Sequence, residues 1–426
     1  MAPHDSDRAL YSYRPFVLFW IARLAAVVAH QMLAVAVGWQ VYALTGSALD
    51  LGWVGLAQFL PAFALALLAG HVADRFDRRR VLQACMLAEA IAAAGLALGS
   101  LQQWITVGAI FGLIAGVGAA RAFQMPTMQA LLPALVPRSL FARAVAANAS
   151  GSQIAIIVGP AVGGLLYVAG PEVVYASSVA LFVLTGIGIQ LIRGTHRVPS
   201  REPATLDSVF DGIRFIRGEK AVLGAISLDL FAVLLGGAAA LLPIYARDIL
   251  DTGPWGLGIL RSSIAVGGFA MAVWLAHHPF ARHAGRLMFT AVAMFGLSVI
   301  AFGLSRWFAV SLIALVVMGA ADMISVIVRQ SLVQLKTPDE MRGRVSAVNS
   351  LFIGTSNQLG EFESGVTAAW FGVVPSVIIG GVGTLIVVAL WRRWFPELEA
   401  VDRLEGEPVT SILPAARPAT AAQKSD

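Results

Sequence analysis

The chain has 426 residues, of which 58% are hydrophobic and only 13% are charged. A soluble globular protein has about 25% charged residues, so this composition excludes an ordinary soluble protein and predicts many membrane spans. The net charge of +5 does not indicate a nucleic-acid partner, because the basic residues lie between apolar stretches, as the positive-inside bias of membrane proteins predicts. Cys85 is the only cysteine, which excludes an internal disulfide.

Twelve apolar stretches follow one another, each near the ~20 residues that a helix needs to cross a bilayer. They are residues 16–44, 51–69, 81–101, 104–123, 145–168, 173–192, 221–246, 255–276, 287–304, 307–328, 345–371 and 373–395. We therefore predict an all-α membrane protein with twelve transmembrane helices in two six-helix bundles, residues 1–192 and 221–395. A cytoplasmic linker, 193–220, joins the bundles, and the polar residues 396–426 are expected to form a disordered cytoplasmic tail.

The loop between spans two and three fixes the predicted orientation. Residues 70–80 read GHVADRFDRRR, and six of these eleven are charged. A charge in hydrocarbon costs several kcal/mol, so this segment is predicted to be a turn at a membrane surface, and its four arginines place it in the cytoplasm. Basic residues recur in every second loop, whereas the alternate loops hold only Arg247 and Arg306. An even number of spans then puts both termini in the cytoplasm.

The chain also repeats itself at an offset of 201 residues without gaps. The matching pairs are Gln129/Gln330, Leu131/Leu332, Pro137/Pro338, Arg143/Arg344, Asn148/Asn349, Gly159/Gly360 and Gly164/Gly365. Two halves of six spans in the same orientation predict a parallel repeat about the membrane normal. Two-lobed secondary transporters have this architecture, with the substrate site between the lobes near the middle of the membrane.

Three segments carry a resemblance to a known family. The loop at 70–80, with its glycine, aspartate and basic cluster, resembles the loop between helices two and three of the major facilitator superfamily. QMLAVAVGWQVYALTGSALDLGWVGLAQFLP (residues 31–61) resembles the first hairpin of its enterobactin-exporter-like and macrolide-efflux-like branch. SNQLGEFESG (residues 356–365) resembles that branch's eleventh helix. The similarity extends over roughly residues 14–395.

This resemblance implies a secondary active exporter rather than an enzyme, in the inner membrane of a bacterium. The expected substrate is a hydrophobic or amphipathic small molecule, such as a drug, a siderophore or a secreted metabolite. Proton antiport and rocker-switch alternating access are the expected mechanism, with the bilayer and protons as partners and a monomeric chain. The alternatives are a lipid or lysolipid transporter of the same fold and a non-transporting membrane sensor or scaffold.

The resemblance also assigns a gating latch to the loop at 70–80. In the superfamily its aspartate pairs with an arginine of helix four and with the N-terminus of helix eleven, where the helix dipole favours a carboxylate. The matching residues here are Asp74, Arg75, Arg78, Arg79 and Arg121. The alternative is a charge cluster that only orients the chain. The corresponding segment of the second half, 276–286, has no aspartate.

Span five contains GPAVGG, with Gly159, Pro160, Gly163 and Gly164. A proline inside a helix removes a hydrogen bond, and glycines permit close helix contact. The segment resembles the end of the fifth-helix motif of antiporters in the superfamily. Ordinary close packing between the lobes is the alternative interpretation.

Ionisable residues inside the spans are candidates for proton coupling or for the cavity, because such groups are rare in membranes and face a cavity or a partner. They are Arg23, His30, Glu89, Asp229, Arg261, Asp322, Glu361 and Glu363. We favour Asp229 or Glu361 as the proton carrier, with His30, Glu363 and Arg23 as further candidates. Glu361 and Glu363 point ~200° apart on a helix, so one is expected to face the cavity and the other protein. Each residue is alternatively a structural ion pair.

No cofactor or metal is expected. The sequence has no GxxxxGK segment followed by Ser or Thr, which argues against a nucleotide-driven pump. His277, His278 and His283 have no nearby set of carboxylates or cysteines that would complete a metal site.

The latch hypothesis predicts that Asp74→Asn weakens transport, because loss of the carboxylate unbalances the two states of the transporter. Transport in membrane vesicles, normalised to the amount of protein in the membrane, measures this effect. Undiminished transport at a normal membrane level would contradict the latch.

Overall fold

The computed structural model describes residues 10–192, 206–278 and 282–402, apart from the side chains of Leu67, Asp74, 206–209, Asp339 and Ala347. The helices of the first half are α1 (Arg14–Thr45), α2 (Ala48–Arg75), α3 (Arg78–Leu101), α4 (Val107–Leu131), α5 (Phe141–Tyr167) and α6 (Pro171–Gln190). Those of the second half are α7 (Leu206–Gly218), α8 (Lys220–Leu235), α9 (Gly253–His277), α10 (Ala284–Leu304), α11 (Phe308–Lys336), α12 (Asp339–Phe371) and α13 (Val373–Trp394). A last turn of helix spans Pro396–Glu399.

Short polar residues start several of these helices, as capping rules predict. The hydroxyl of Ser47 accepts a hydrogen bond from the Asp50 N–H at the start of α2. The carboxylate of Asp77 accepts from the N–H groups of Arg79 and Arg80 at the start of α3. The second aspartate of the 70–80 loop is therefore a helix cap that makes a tight turn between α2 and α3.

Eleven helical stretches in the described part are long and apolar enough to cross a membrane. The twelfth predicted span, α12, falls outside this set because it carries Glu361 and Glu363 among many other polar residues. It nevertheless has 33 residues and packs against α2, α8 and α13 inside the bundle. We count α12 as the twelfth span, since Glu361 and Glu363 are partly buried by the neighbouring helices.

The seventh span is not the single helix over residues 221–246 that the sequence predicts. Helix α8 ends at Leu235, and a 3-10 turn (Ala238–Leu241), a short α-helical turn and a π-helical segment (Tyr245–Ile249) follow. A Cβ at Gly237 would lie 2.5 Å from the carbonyl oxygen of Gly360, so α12 packs directly against the break. Non-helical backbone at membrane depth is tolerated where protein covers it.

The helix contacts repeat between the halves, as the offset of 201 residues predicts. In the first half α2 packs on α4, α3 on α4 and α6, and α1 on α5 and α6. In the second half α9 packs on α11, α10 on α11 and α13, and α8 on α12 and α13. Between the two lobes the main contacts are α5 with α9 and α2 with α12.

Both of these contacts are close on one side of the molecule. A Cβ at Gly164 would lie 2.5 Å from the Pro254 carbonyl oxygen, and one at Gly52 would lie 3.1 Å from that of Phe362. Tyr42 also donates a hydrogen bond to Asp248 across the lobes. All of these residues lie away from what we call the arginine-rich face, which carries residues 75–80, 138–143 and 282–286. The lobes are therefore closed at the face opposite to the arginine-rich one.

Ordered structure continues past residue 396, where the sequence predicts a disordered tail to begin. The segment 396–402, which we call the C-terminal strap, lies against the start of α10. The backbone N–H of His283 donates to the Asp402 carboxylate at 3.0 Å, and that of Gly285 donates to the Val401 carbonyl at 3.0 Å. Leu398 is fully buried. Residues 403–426 lie outside the described part of the chain.

The strap supplies acidic groups to segment 276–286, which has no acidic residue of its own. Asp402 lies 3.8 Å from Arg282, and Glu399 accepts charge-assisted hydrogen bonds from Arg392 at 2.6 and 3.1 Å. These bonds hold the pKa of Glu399 below its usual range. Asp402 thus caps α10 much as Asp77 caps the repeat-related helix α3.

Gly285→Ala should displace the strap, because the new Cβ would lie 1.8 Å from the Leu398 carbonyl oxygen. We expect a loss of about 1–3 kcal/mol of stability, as for other overpacked sites, and faster proteolysis after residue 395. Gly343→Ala is the matched control, since a Cβ there meets nothing within 4 Å. Equal melting temperatures and equal cleavage in the two variants would contradict the role of the strap.

Candidate functional site

A polar cavity of about 200 Å³ lies between the lobes. Helices α1, α2 and α4 line it from one lobe, and α9, α12 and the segment after α8 from the other. Its polar side chains are His30, Gln31, Gln58, Arg121, Arg261, Gln358 and Glu361. Two of the five favoured coupling candidates, His30 and Glu361, thus line one cavity together with Arg121.

His30 forms a hydrogen-bonded pair with Glu89 of α3. Its Nε2 lies 3.2 Å from Glu89 Oε1, and its Nδ1 lies 2.7 Å from the Ala26 carbonyl oxygen. Because a carbonyl only accepts hydrogen bonds, Nδ1 carries a hydrogen, and the Nε2–Glu89 contact needs one proton between its two atoms. Glu89 is fully buried, and its Oε2 has no hydrogen-bond partner among the described residues. Phe182 packs edge-on against the His30 ring at 5.1 Å.

Glu361 of α12 and Arg261 of α9 form a second association of opposite charges, with both residues in the second lobe. Both line the cavity, and the two charges interact without an ion pair within 4 Å. Arg261 Nη1 also donates to the Ala34 carbonyl of α1 at 3.0 Å. A Cβ at Gly55 would lie 2.7 Å from Glu361 Oε2, so the carboxylate extends up to the backbone of α2. Glycine at position 55 is what makes room for it.

Arg121 does not lie where the latch needs it. A Cβ at Gly118 would lie 2.0 Å from the Gln58 carbonyl oxygen, so Arg121 is level with Pro61 of α2. Asp74 is thirteen residues farther along that helix, or roughly 20 Å at the rise of an α-helix. The backbone of Arg121 therefore lies several helical turns from that of Asp74 in this conformation. Arg121 instead lines the cavity, where the described residues offer it neither a hydrogen bond nor an ion pair.

The arginines of the 70–80 loop contact their own lobe. Arg78 Nη1 donates to the Ala130 carbonyl at 3.0 Å, and Arg79 Nη1 to the Ile192 carbonyl at 2.7 Å. These bonds tie the start of α3 to the ends of α4 and α6, whereas Arg75 is exposed. The side chain of Asp74 lies outside the described part, so the latch itself stays a prediction.

Asp229 belongs to a buried cluster within the second lobe. Its Oδ2 lies 3.1 Å from Arg329 Nη2, and its Oδ1 accepts from Ser325 at 3.2 Å. Arg329 is 1% exposed and also donates to Asn349 Oδ1 at 3.1 Å. Asp322 borders a void of about 10 Å³ together with Asp229 and Ser325, roughly the space of one water molecule. Two carboxylates therefore lie near a single guanidinium.

Sequence reasoning missed Arg329 because it follows directly after the predicted end of span ten at residue 328. The sequence indicated only that Asp229 and Asp322 each need a partner at membrane depth, because spans seven and ten come together only in the fold.

A family model described as transmembrane secretion effector, a group of the major facilitator superfamily, matches residues 6–415. The chain belongs to this family. It is 26% identical to macrolide efflux protein A of Streptococcus pyogenes, over 91% of this chain and 97% of the relative. It is 24% identical to the enterobactin exporter EntS of Escherichia coli (strain SMS-3-5 / SECEC), over 92% and 97%.

Solved structures confirm the fold. A bacterial homologue of the human lysosomal transporter Spinster, in an inward-facing and unoccupied conformation, superposes with a TM-score of 0.72 at 14% identity. The alignment covers 91% of this chain and 98% of the homologue. A D-xylose–proton symporter gives 0.69 at 14% identity, over 90% and 98%. The predicted major facilitator fold with two six-helix bundles is thus confirmed.

The fifth-helix segment of this family member packs at helix crossings. A Cβ at Gly159 would lie 2.6 Å from Gln31 Cβ, and one at Gly163 would lie 2.9 Å from Met32 Cα, both on α1. Gly164 faces α9 instead, and Pro160 lies inside α5 between them. The segment therefore joins α5 to its own lobe and to the other lobe at once.

Two further candidates do not line the polar cavity. Arg23 Nε donates to Ser152 Oγ at 3.3 Å, which links α1 to α5 within the first lobe. Glu363 lies two residues after Glu361 and is partly buried on another side of α12. Of the two glutamates, only Glu361 lines this cavity, in agreement with their expected separation around the helix.

Arg329→Met should destabilise the second lobe by about 3–5 kcal/mol, because it leaves buried carboxylates without their cation. The double variant with Asp229→Asn should recover part of this loss. Thermal unfolding in detergent measures both, with Arg286→Met as a control, whose side chain is 67% exposed. A single variant no less stable than the control would contradict the buried cluster.

Proposed function

We propose that this protein is a secondary active exporter that moves an amphipathic small molecule by alternating access. The observation that carries the proposal is the polar cavity between two lobes of repeated structure, with His30, Arg121 and Arg261 on its wall. Ionisable residues at membrane depth are costly and mark substrate or ion pathways. Membership of a family with macrolide and enterobactin exporters among its relatives supports export as the direction.

The contacts between the lobes support an inward-facing state. Close packing of Gly164 on α9 and of Gly52 on α12 shuts the side opposite to the arginine-rich face. On the other side, a second cavity of about 360 Å³ separates α2 and α4 from α12. We assign the arginine-rich face and both termini to the cytoplasm of a bacterial inner membrane, following the positive-inside rule. The cavity then opens to the side from which an exporter loads.

Proton antiport is the proposed driving reaction, and the Asp229 cluster is its favoured site. With Asp229 and Asp322 ionised, the cluster carries one negative charge in excess of Arg329. One proton on either carboxylate neutralises that excess. The void that both carboxylates border has room for one water molecule, which would relay a proton between them. The site is separate from the polar cavity, so proton and substrate would compete through the conformation of the second lobe. His30 with Glu89, and Glu361 with Arg261, remain the alternative carriers.

Transport of a lipid or lysolipid is the second candidate function. The larger cavity favours it, because its wall is mostly apolar, with Phe59, Phe63, Met125 and Leu351. Such a wall accepts an acyl chain as readily as the body of a drug. The two functions differ in whether the substrate enters from water or from the bilayer.

Asp229→Asn and Asp322→Asn should abolish the response of efflux to an imposed pH gradient, because each removes the excess carboxylate. The measurement uses proteoliposomes, radiolabelled erythromycin as the probe, and a pH-sensitive dye for proton counterflow. Glu361→Gln tests the alternative carrier, and Asp211→Asn in the linker helix is the exposed control. Proton-coupled efflux that persists in the variants of Asp229, Asp322 and Glu361 would refute these assignments.

A further inference from the structure

The charges around the polar cavity do not balance. The carboxylate that lines the cavity and the one buried behind its wall each have a basic group beside them: Glu361 interacts with Arg261, and Glu89 bonds to His30. Arg121 remains. Glu89 is near enough for their charges to interact, but the two form no ion pair within 4 Å, and the described residues give Arg121 no hydrogen bond.

An arginine in this position is expected to bind an anion. Its guanidinium is protonated at every physiological pH and presents five N–H donors. A charge at membrane depth without a protein partner is costly, and Arg121 lies partly exposed at the cavity wall, where a ligand can reach it. A carboxylate or phosphate group removes that cost and accepts two parallel hydrogen bonds from one guanidinium.

Amides beside Arg121 complete an acid-binding surface. Gln58 of α2 and Gln358 of α12 line the polar cavity on either side of Arg121, one from each lobe. Gln358 Oε1 is buried and has no hydrogen-bond partner among the described residues. An amide oxygen accepts a hydrogen bond from a hydroxyl or amino group of a ligand. The amide N–H group donates a hydrogen bond to the acidic group of the same ligand.

The same three residues also line the apolar cavity of about 360 Å³ between α2, α4 and α12. Arg121, Gln58 and Gln358 thus stand where a polar space of about 200 Å³ meets an apolar one. Together the two spaces fall in the range of about 300–1,000 Å³ that suits a drug-sized ligand. A molecule that fills both has an acidic end and an apolar body.

We propose that the substrate is an amphipathic anion, whose carboxylate or phosphate group binds Arg121 while its apolar body occupies the cavity between α2, α4 and α12. This inference rests on the proposed function as an exporter and adds the chemical class of the substrate. The acid has two possible sources, a secreted organic acid or the headgroup of a lysolipid, with the same chemistry at Arg121.

Binding of a matched pair of probes tests the charge preference. The full-length protein in lipid nanodiscs is dialysed against radiolabelled 2-naphthoate or 2-naphthylmethylammonium, with empty nanodiscs as background. These probes share an apolar body and differ in the sign of their charge. We expect naphthoate to bind at least about tenfold more tightly than the amine, a difference that one favourable charge-assisted contact supplies.

Substitutions at position 121 locate the preference. Arg121→Gln should lose at least about tenfold in naphthoate affinity, and Arg121→Lys should keep part of it, because lysine retains the charge without the planar fork. Arg23→Gln is the control, since that arginine bonds to Ser152 away from the cavity. Equal melting temperatures exclude misfolding. Tighter binding of the amine to the unmodified protein, or an unchanged preference in Arg121→Gln, would overturn the proposal.

A second arm separates the two sources of the acid. Nanodiscs with 5% lysophosphatidate should reduce naphthoate binding at Arg121 if a lipid headgroup is the ligand, whereas soluble decanoate should do so if the ligand enters from water. If neither competes, the proposal fails. Efflux of radiolabelled naphthoate from proteoliposomes is measured in parallel: absent efflux with intact acid preference rejects the proposed exporter alone, and proton-coupled efflux of naphthoate and of the amine at equal rates rejects this inference alone.

Discussion

A charge inside the bilayer needs a partner, and most of this structure can be understood from where those partners lie. Arg329 binds Asp229 and Asn349 in the interior of the second lobe. His30 and Glu89 form a hydrogen-bonded pair in the first lobe. Glu361 and Arg261, both of the second lobe, interact where they line the cavity between the lobes. Arg261 donates to the Ala34 carbonyl of α1, and Glu361 extends up to Gly55 of α2, so movement of one lobe against the other changes the contacts of this pair with the first lobe.

The helices of the two halves pack in the same way, but the charged residues of the two halves differ. The same helix pairs pack in each lobe, and the repeated residues Asn148 and Asn349 occupy matching places. Yet Arg121 of the first half matches Asp322 of the second, and the two lie in different surroundings: a cavity wall and a small void. The excess positive charge lies at the lobe interface, where we propose that substrate binds. The excess negative charge lies inside the second lobe, where we propose that the proton binds, so the two sites are separate. A symmetric transporter would lack this division.

The loop at 70–80 and its counterpart illustrate how one structural need is met in two ways. Asp77 caps α3 from the adjacent loop, whereas α10 receives its cap from Asp402, more than a hundred residues later in the chain. The missing aspartate of segment 276–286 is therefore replaced from a distance. Sequence comparison of the halves detects the loss, but only the fold brings the strap to the start of α10, because nothing local relates residue 402 to residue 283.

The sequence by itself determined the membrane class, the two-bundle fold and the repeat, because hydropathy and a fixed offset are one-dimensional patterns that the bilayer converts directly into spans. It also identified the intramembrane ionisable residues, since these are conspicuous in apolar stretches. Only the tertiary structure decided their surroundings: that Arg121 lines the cavity, that Arg329 neutralises Asp229, and that Glu361 faces the cavity while Glu363 does not. The rotation of each helix and the depth of each residue set these pairs, and both depend on packing against helices far away in sequence.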